Sequence, residues 1–304
     1  MQARLEQAIR SFAPGARLIS HLSLKGGISA TMTCFEIELA DGSRRKLTAR
    51  QPCRYKFDQS ADVAAEELQL LNALHSAGLP VPQPIYLDCS SAEHPEPFFV
   101  MEFVEGAPEF DPTEPSEFVR QIAEQLAHIH RVDYSDMDRG FLPLQTRGFG
   151  EVTRDPNDRL RESEIRQALQ RRPIRNPNKL VLRHGDFWPG NILWRDGDIV
   201  AVIDWEEALV GEPLADHAIT RLDVLWVLGV EAMEQLTEHY LSVMDVDTTD
   251  LPYWDLCASL RPISNIGEWA PAYADLGRPD ITAATMTRDH KLFVDLALGK
   301  LLTS

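Results

Sequence analysis

His184-Gly185-Asp186-Phe187-Trp188-Pro189-Gly190-Asn191-Ile192-Leu193-Trp194 leads on to Val202-Ile203-Asp204-Trp205-Glu206, and together they read as loop, strand, turn and strand. Ile192-Leu193-Trp194 is a short apolar run of the kind a buried strand presents. Asp196-Gly197-Asp198 is a hairpin signal, because Asp and Gly tolerate the positive φ that tight turns require. Ile199-Val200-Ala201-Val202-Ile203 returns as a second, β-branched strand. Folding this hairpin about Gly197 sets Asn191 opposite residues 202–204. Asn191 and Asp204 are therefore expected side by side at its open end, with Asp186 on the loop that enters it.

An amide oxygen and a carboxylate are hard ligands suited to Mg2+, which keeps several waters and is completed by substrate phosphates. A second carboxylate, Asp186, stands five residues before Asn191, placed to accept a proton from an incoming hydroxyl. A positioned base and a metal clamp are the parts that phosphoryl transfer needs, a reaction in which the protein does little covalent chemistry. Two other readings compete with this one. The first is a β-hairpin that merely carries surface acids. The second takes His184 and Asp186 as transition-metal ligands of a hydrolase, but such sites need more histidine, and none follows until His217.

The set His184-Gly185-Asp186-x-x-x-Gly190-Asn191-Ile192-Leu193, Ile203-Asp204-Trp205-Glu206 and Gly211-x-Pro213-Leu214-Ala215-Asp216 resembles the aminoglycoside phosphotransferase and choline-kinase-like family. The resemblance covers roughly residues 20–230. It implies an α+β chain with a protein-kinase-like two-lobed fold, an antiparallel N-terminal sheet followed by a mainly helical C-terminal lobe. The implied boundaries are 1–103 for a nucleotide-binding lobe and 104–304 for a catalytic and acceptor-binding lobe. The family implies ATP or GTP as donor, Mg2+ as cofactor and a small-molecule hydroxyl as acceptor. By that resemblance Asp186 is the catalytic base, Asn191 and Asp204 hold the metal, and Asp216 steadies the loop.

Composition bounds the rest. The 304 residues, 44% hydrophobic and 25% charged, describe an ordinary globular protein with room for a large core. Cys34, Cys53, Cys89 and Cys257 follow no pairing or C-x-x-C pattern, which fits idle thiols in a reducing compartment. The N-terminal residues form no apolar leader and no run approaches a membrane span, so cytoplasm is expected, with no membrane partner. A net charge of −17 argues against nucleic acid, whose backbone demands a basic footprint. The imbalance is local: residues 196–255 hold 15 Asp/Glu against Arg221 alone, while 159–183 hold eight Lys/Arg against two Glu. An acidic half could attract a cationic acceptor and the basic segment an anionic one, and the sequence does not choose. Oligomeric state has no signature here.

Along the chain, residues 2–12 read as a helix stopped by Pro14-Gly15. A strand from Leu22 then meets the glycine-rich turn Gly26-Gly27-Ile28-Ser29, where backbone N–H groups can approach a phosphate. The family's Gly-Gly-x-Ser-Asn is met except at its last place, where this chain has Ala30. Alternating residues 31–39, the turn Asp41-Gly42 and residues 45–51 complete a hairpin. By resemblance Arg50 fills the slot where a kinase-like fold needs a cation for the nucleotide phosphates, paired to a glutamate on the next helix; the alternative is a surface Arg on an edge strand. That helix is expected at 61–77, capped by Ser60, with Leu68, Leu71 and Leu74 on one stripe. Glu66 and Glu67 both qualify as the partner, and the family's spacing favours Glu67. Phe98-Phe99-Val100-Met101-Glu102-Phe103-Val104 reads as a buried strand entering a hinge, and the resemblance assigns backbone groups at Met101, Glu102 and Val104 to the nucleobase.

Helices are then expected at 115–131 and 158–171, with further helical patterns at 222–230, 232–244, 253–263 and 283–302. His128 and His130, two apart, face different ways and suit helix packing rather than a metal. Residues 133–157 and 265–273 read as irregular; with Trp188 they either wall the acceptor site or, in the case of Trp188 and Trp269, simply pack in the core. Two rivals remain: a nucleotide-binding regulatory protein of the same fold with weak or no turnover, and a protein kinase. The latter is disfavoured by the missing G-x-G-x-x-G and the missing Ala-Pro-Glu-type segment.

Overall fold

The computed structural model describes residues 1–24, 29–89, 96–135, 137, 142–145, 156–172, 174–175 and 178–303. The expected glycine turn at Gly26 and Gly27, and most of the 133–157 loop, lie outside these residues. The chain divides into two compact units. One consists chiefly of Met1–Gly106 with Val200–Glu206, and the other of Ala107–Asp136, Leu142–Ile199 and Glu207–Ser304.

The first unit is built on α1 (Gln2–Phe12) and strands β1 (Arg17–Ser23), β2 (Ala30–Glu38) and β3 (Arg44–Pro52). Two helices follow, α2 (Arg54–Gln59) and α3 (Val63–Ser76), and then strands β4 (Pro84–Asp88) and β5 (Phe98–Glu102). The five strands form one antiparallel sheet in the order β1-β2-β3-β5-β4. Alternation drives it. Phe35 and Ile37 on β2, Leu47 and Ala49 on β3, and Phe98 and Val100 on β5 turn to one face, where Leu5, Ala8 and Ile9 of α1 cover them. Two expectations need correction. The first strand begins at Arg17, well before Leu22, and was hard to read because this edge strand buries no side chain. Ser60 is not the cap of α3: Asp62 occupies that position, while Ser60 Oγ donates to Glu66 Oε1 at 2.9 Å.

The second unit is mainly helical. Its elements are α4 (Pro115–His130), α5 (Glu162–Arg171), β6 (Val181–Arg183), β7 (Ile192–Arg195), β8 (Asp198–Val202, which runs on into the first unit), β9 (Leu209–Gly211), α6 (Pro213–Leu228), α7 (Val230–Val243), α8 (Leu251–Ser259), α9 (Ile266–Asp275) and α10 (Ala283–Thr303). β6 and β9 pair antiparallel, Val181 against Gly211 and Arg183 against Leu209. β7 and β8 form a two-stranded ribbon whose turn places Asp196 at φ 55° and Gly197 at φ 89°, the double positive φ of a tight hairpin.

Helix α6 is buried from Pro213 to Val227, so it reads apolar on every side and carries its charges paired. Leu214, Ala218, Leu222 and Leu225 join Leu256, Met286, Phe293 and Val294 in one buried core. Residues 265–273 are a correction: Ile266–Asp275 is helical despite Gly267 and the internal Pro271, because Ile266, Ala270 and Tyr273 recur at helical spacing and bury against that core. His130 is buried and bonded to Tyr240 at 2.7 Å, a packing role. Among the described residues no helix is long and apolar enough to cross a membrane.

Candidate active site

The loop between β6 and β7 is held from beneath by one carboxylate. Asp216, in the first turn of α6, has its Oδ2 2.7 Å from the backbone N–H of His184, and its Oδ1 accepts the N–H of Gly185 at 3.2 Å. Arg183 adds Nε at 2.8 Å and Nη2 at 2.7 Å to Oδ1. Burial alone would raise the Asp216 carboxyl, but Arg183 and His130 beside it outweigh that and hold it well below the usual carboxylate range. Pro213 at the first helical position starts α6 in register to make this contact. Thr220 Oγ1 donates to the Phe187 carbonyl at 2.8 Å, and Phe187 is fully buried, so the loop is pinned on both sides of Asp186.

Gly185 turns the chain at φ 85°, and a Cβ there would lie 2.1 Å from the Glu207 carbonyl oxygen. Only glycine supplies both that φ and that clearance. Asp186 follows with its side chain 31% exposed. Asn191, in the 3-10 turn Pro189–Asn191, donates Nδ2 to the Asp186 carbonyl at 2.9 Å and to its Oδ2 at 3.2 Å. Asp186 and Asn191 are thus one hydrogen-bonded pair.

The other carboxylate oxygen, Oδ1, accepts from Arg261 Nη2. Arg261 lies on the turn between α8 and α9, and its Nη1 is 3.8 Å from Asp223 Oδ2. Asp223 is pushed up to about 7 by burial, with Arg261 opposing and the negative charge of Asp186 adding to the rise. Trp188, two residues beyond Asp186, sets its ring 5.9 Å from Phe110 and 6.4 Å from Tyr273. Trp269 instead packs on Trp226, ring centroids 6.4 Å apart.

A second cluster forms within the first unit. Arg50 on β3 donates Nε to Glu67 Oε2 at 2.7 Å, while its Nη2 lies 2.9 Å from Glu206 and 3.4 Å from Asp204. Glu66 is turned to Ser60. Lys56 Nζ stands 3.8 Å from Glu206. Burial disfavours the Arg50 charge, but Glu67, Asp204 and Glu206 outweigh it and raise its already high value. Asp204 sits at φ 64°, a left-handed conformation uncommon outside glycine. At the end of β5, Glu102 donates its N–H to Gln83 O at 2.9 Å, and Phe103 its N–H to Lys46 O at 3.4 Å. Met101 is buried within β5, and Val104 lies just beyond that strand. The carbonyl of Ser29 accepts Cys53 N–H at 2.8 Å.

The donor chemistry suits Mg2+. Within the second unit the Asn191 amide nitrogen is given to Asp186, which leaves Asn191 Oδ1 as a hard oxygen; Asp204, a carboxylate, belongs to the first unit. No cage of three His, Cys, Asp or Glu able to hold a metal occurs among the described residues. A cation completed by waters and phosphates needs no such cage. Sequence reading overlooked Glu206, Arg261 and Asp223. Glu206 stands in its motif with no local partner, and Arg261 is 75 positions from Asp186, beyond any local pattern.

Comparison with known proteins agrees with this architecture. A protein of Pongo abelii, acyl-CoA dehydrogenase family member 11, is 26% identical over 227 residues, covering 64% of this chain and 29% of that protein. The chain spans about a third of the length of the curated relatives that it matches first. The GDP complex of wild-type aminoglycoside 2'-phosphotransferase-IIIa superposes with a TM-score of 0.63 at 18% identity, covering 99% of this chain and 97% of that one. An amicoumacin kinase in complex with AMP-PNP and Ca2+ gives a TM-score of 0.64 at 16% identity, covering 97% and 93%. These likenesses establish the protein-kinase-like α+β fold. The model of the phosphotransferase enzyme family matches residues 39–251, and the chain belongs to that family.

Proposed function

We propose that this chain transfers the γ-phosphoryl group of ATP or GTP to a hydroxyl of a small-molecule acceptor, with Asp186 as the base. The observation that carries the reading is the pinned loop at 184–191, which presents Asp186 and Asn191 as one hydrogen-bonded pair above the buried Arg183–Asp216 contact. Family membership supports it, as do the nucleotides and the Ca2+ named in the complexes of its structural neighbours. Acceptors in aminoglycoside-like, amino-alcohol or sugar classes are consistent with the family.

In this reading residues 1–103 form the nucleotide lobe and 104–304 the catalytic lobe. Gly26, Gly27 and Ser29 are assigned to the phosphates, as is Arg50 steadied by Glu67, and Met101, Glu102 and Val104 are assigned to the nucleobase. Asn191 and Asp204 would hold Mg2+, which when bound offsets negative charge on the triphosphate. Asp186 accepts the proton of the acceptor hydroxyl as the hydroxyl oxygen bonds to the γ-phosphorus and the bond from that phosphorus to the β–γ bridging oxygen breaks, releasing ADP or GDP. The protein works in the cytoplasm without nucleic acid or membrane partners.

The test is nucleotide consumption over a library of hydroxyl compounds, with Asp186→Asn as the comparison. Turnover is expected to fall by about 10²–10⁴ in the variant while nucleotide binding persists, the loss typical of a general base. Equal turnover in both proteins rejects the assignment.

A further inference from the structure

We infer that Arg261 receives an anionic group of the acceptor, so that the acceptor is a hydroxy compound bearing a carboxylate or phosphate a few bonds from the hydroxyl that reacts. The inference rests on the reading of Asp186 as the base, and it sets an anionic acceptor against the cationic aminoglycoside-like and amino-alcohol classes. It starts from the contact already described: Arg261 Nη2 on Asp186 Oδ1, with both side chains about one-third exposed.

Arg261 carries five N–H donors in a planar fork. Among the described residues, its only side-chain hydrogen-bond partner is Asp186; Asp223 Oδ2, at 3.8 Å, is too far for one. The fork therefore keeps donors to spare at the edge of the site. Its backbone is not loose. Arg261 N–H donates to Ala258 O at 3.1 Å, and Asn265 Nδ2 donates to Arg261 O at 3.2 Å, which ties the turn between α8 and α9 together.

When a hydroxyl takes up the Asp186 carboxylate, the guanidinium loses part of its one strong contact. An anion on the same molecule restores it, and carboxylate and phosphate oxygens match the fork in geometry as well as in charge. An ammonium group in that place would meet a like charge at close range. Asp223 is a poor substitute, being buried, beyond hydrogen-bonding distance and pushed up to about 7. Because Arg261 touches Asp186 directly, one acceptor can engage both only if its anion and its hydroxyl lie close together.

The experiment uses the full chain with Mg2+ and two readouts. Binding is measured by calorimetry with AMP-PNP, and phosphoryl transfer with ATP and with GTP. The probes are 2-, 3- and 4-hydroxyalkanoates with their methyl esters and the matching amino alcohols, and glycerol 3-phosphate with glycerol. The anionic member of a set is expected to bind at least about tenfold more tightly than its neutral or cationic partners, the loss typical of removing a charge-assisted hydrogen bond. Preference among hydroxyalkanoates marks a carboxylate, and preference for glycerol 3-phosphate a phosphate. Arg261→Gln should erase that gap by raising KM for the anion while leaving KM for the ester little changed, any fall in kcat from the lost contact with Asp186 being shared by all acceptors, and Arg261→Lys should recover part of it.

Esters or amino alcohols that bind as well as the anions would overturn the inference, as would binding of none of the anions. So would an Arg261→Gln protein, folded by thermal melt, that lowers kcat alike for every acceptor and keeps the anion's advantage in KM, because Arg261 would then only position Asp186. Arg261-dependent anion binding without phosphoryl transfer leaves the anion site standing and removes the kinase reading. Transfer confined to neutral or cationic acceptors does the reverse.

Discussion

Arg183 Nη2 and Asp216 Oδ1 are 2.7 Å apart, with side chains 5% and 0% exposed, and that sealed pair lies directly beneath the backbone of His184 and Gly185. Its worth is in what breaking it leaves behind. Asp216→Asn keeps the shape but strands the Arg183 charge in the interior, at a cost of about 3–5 kcal/mol. Urea unfolding at neutral pH should show that loss. The sign with pH follows from the direction of the shift. The folded carboxyl titrates below its unfolded value of about 3.9, so its contribution is complete above that pH and disappears as pH falls toward the folded value. The gap between wild type and Asp216→Asn should therefore narrow only in acid; a gap that narrows instead between pH 6 and 8 contradicts the account.

Gly185→Ala tests the same loop through its backbone. The added Cβ would have to share space with the Glu207 carbonyl at a φ that alanine disfavours, and a backbone oxygen cannot simply rotate away. Strain of about 1–3 kcal/mol from the dihedral alone, plus the displacement of residue 207, should lower the melting temperature and cut kcat through a misplaced Asp186. A variant with wild-type melting and wild-type kcat would show that the loop has slack that its geometry denies.

These two residues also mark where sequence reading succeeds. The 184–191 loop and the 192–202 ribbon are written in local signals: an apolar strand, an Asp-Gly turn, a second β-branched strand, a proline at the start of α6. The sheet of the first unit is legible for the same reason, through the alternation on β2 and β3. β1 escaped because an edge strand that buries nothing shows no alternation. α9 escaped because Gly267 and Pro271 are breaker signals that tertiary packing of Ile266, Ala270 and Tyr273 overrides. Arg261, Asp223 and Glu206 escaped because their partners are remote in sequence, and no spacing rule connects residues that only folding brings together.

Arg50 serves two acids at once, Nε to Glu67 and Nη2 to Glu206. An ammonium has no such fork, so Arg50→Lys preserves charge but can hold only one of the two in the same geometry. The loss of a charge-assisted bond corresponds to about 10–100-fold, and it should appear in the KM for nucleotide and in ADP affinity while the acceptor KM stays within error. Glu67→Gln and Glu206→Gln should each move the same parameter in the same direction. If Arg50→Lys raised the acceptor KM alone, the cluster would belong to the acceptor and not to the phosphates.

Asp223 offers a prediction of opposite sign to Asp216. Its side chain is 10% exposed, and burial lifts its carboxyl to about 7, against an unfolded value of about 3.9. Between those two values the folded protein binds the extra proton. The stabilisation is therefore complete below about pH 4 and is lost as pH rises through 7. Three units at 1.36 kcal/mol each set an upper limit of roughly 4 kcal/mol. Asp223→Asn cannot titrate, so the stability of wild type measured against this variant should decline steadily from pH 4 to 7.5 and then level off. Parallel unfolding curves at pH 5, 6, 7 and 8 would check it. A wild type that gains on the variant as pH rises would mean that Asp223 is held charged by Arg261, and that the pair at 3.8 Å outweighs burial.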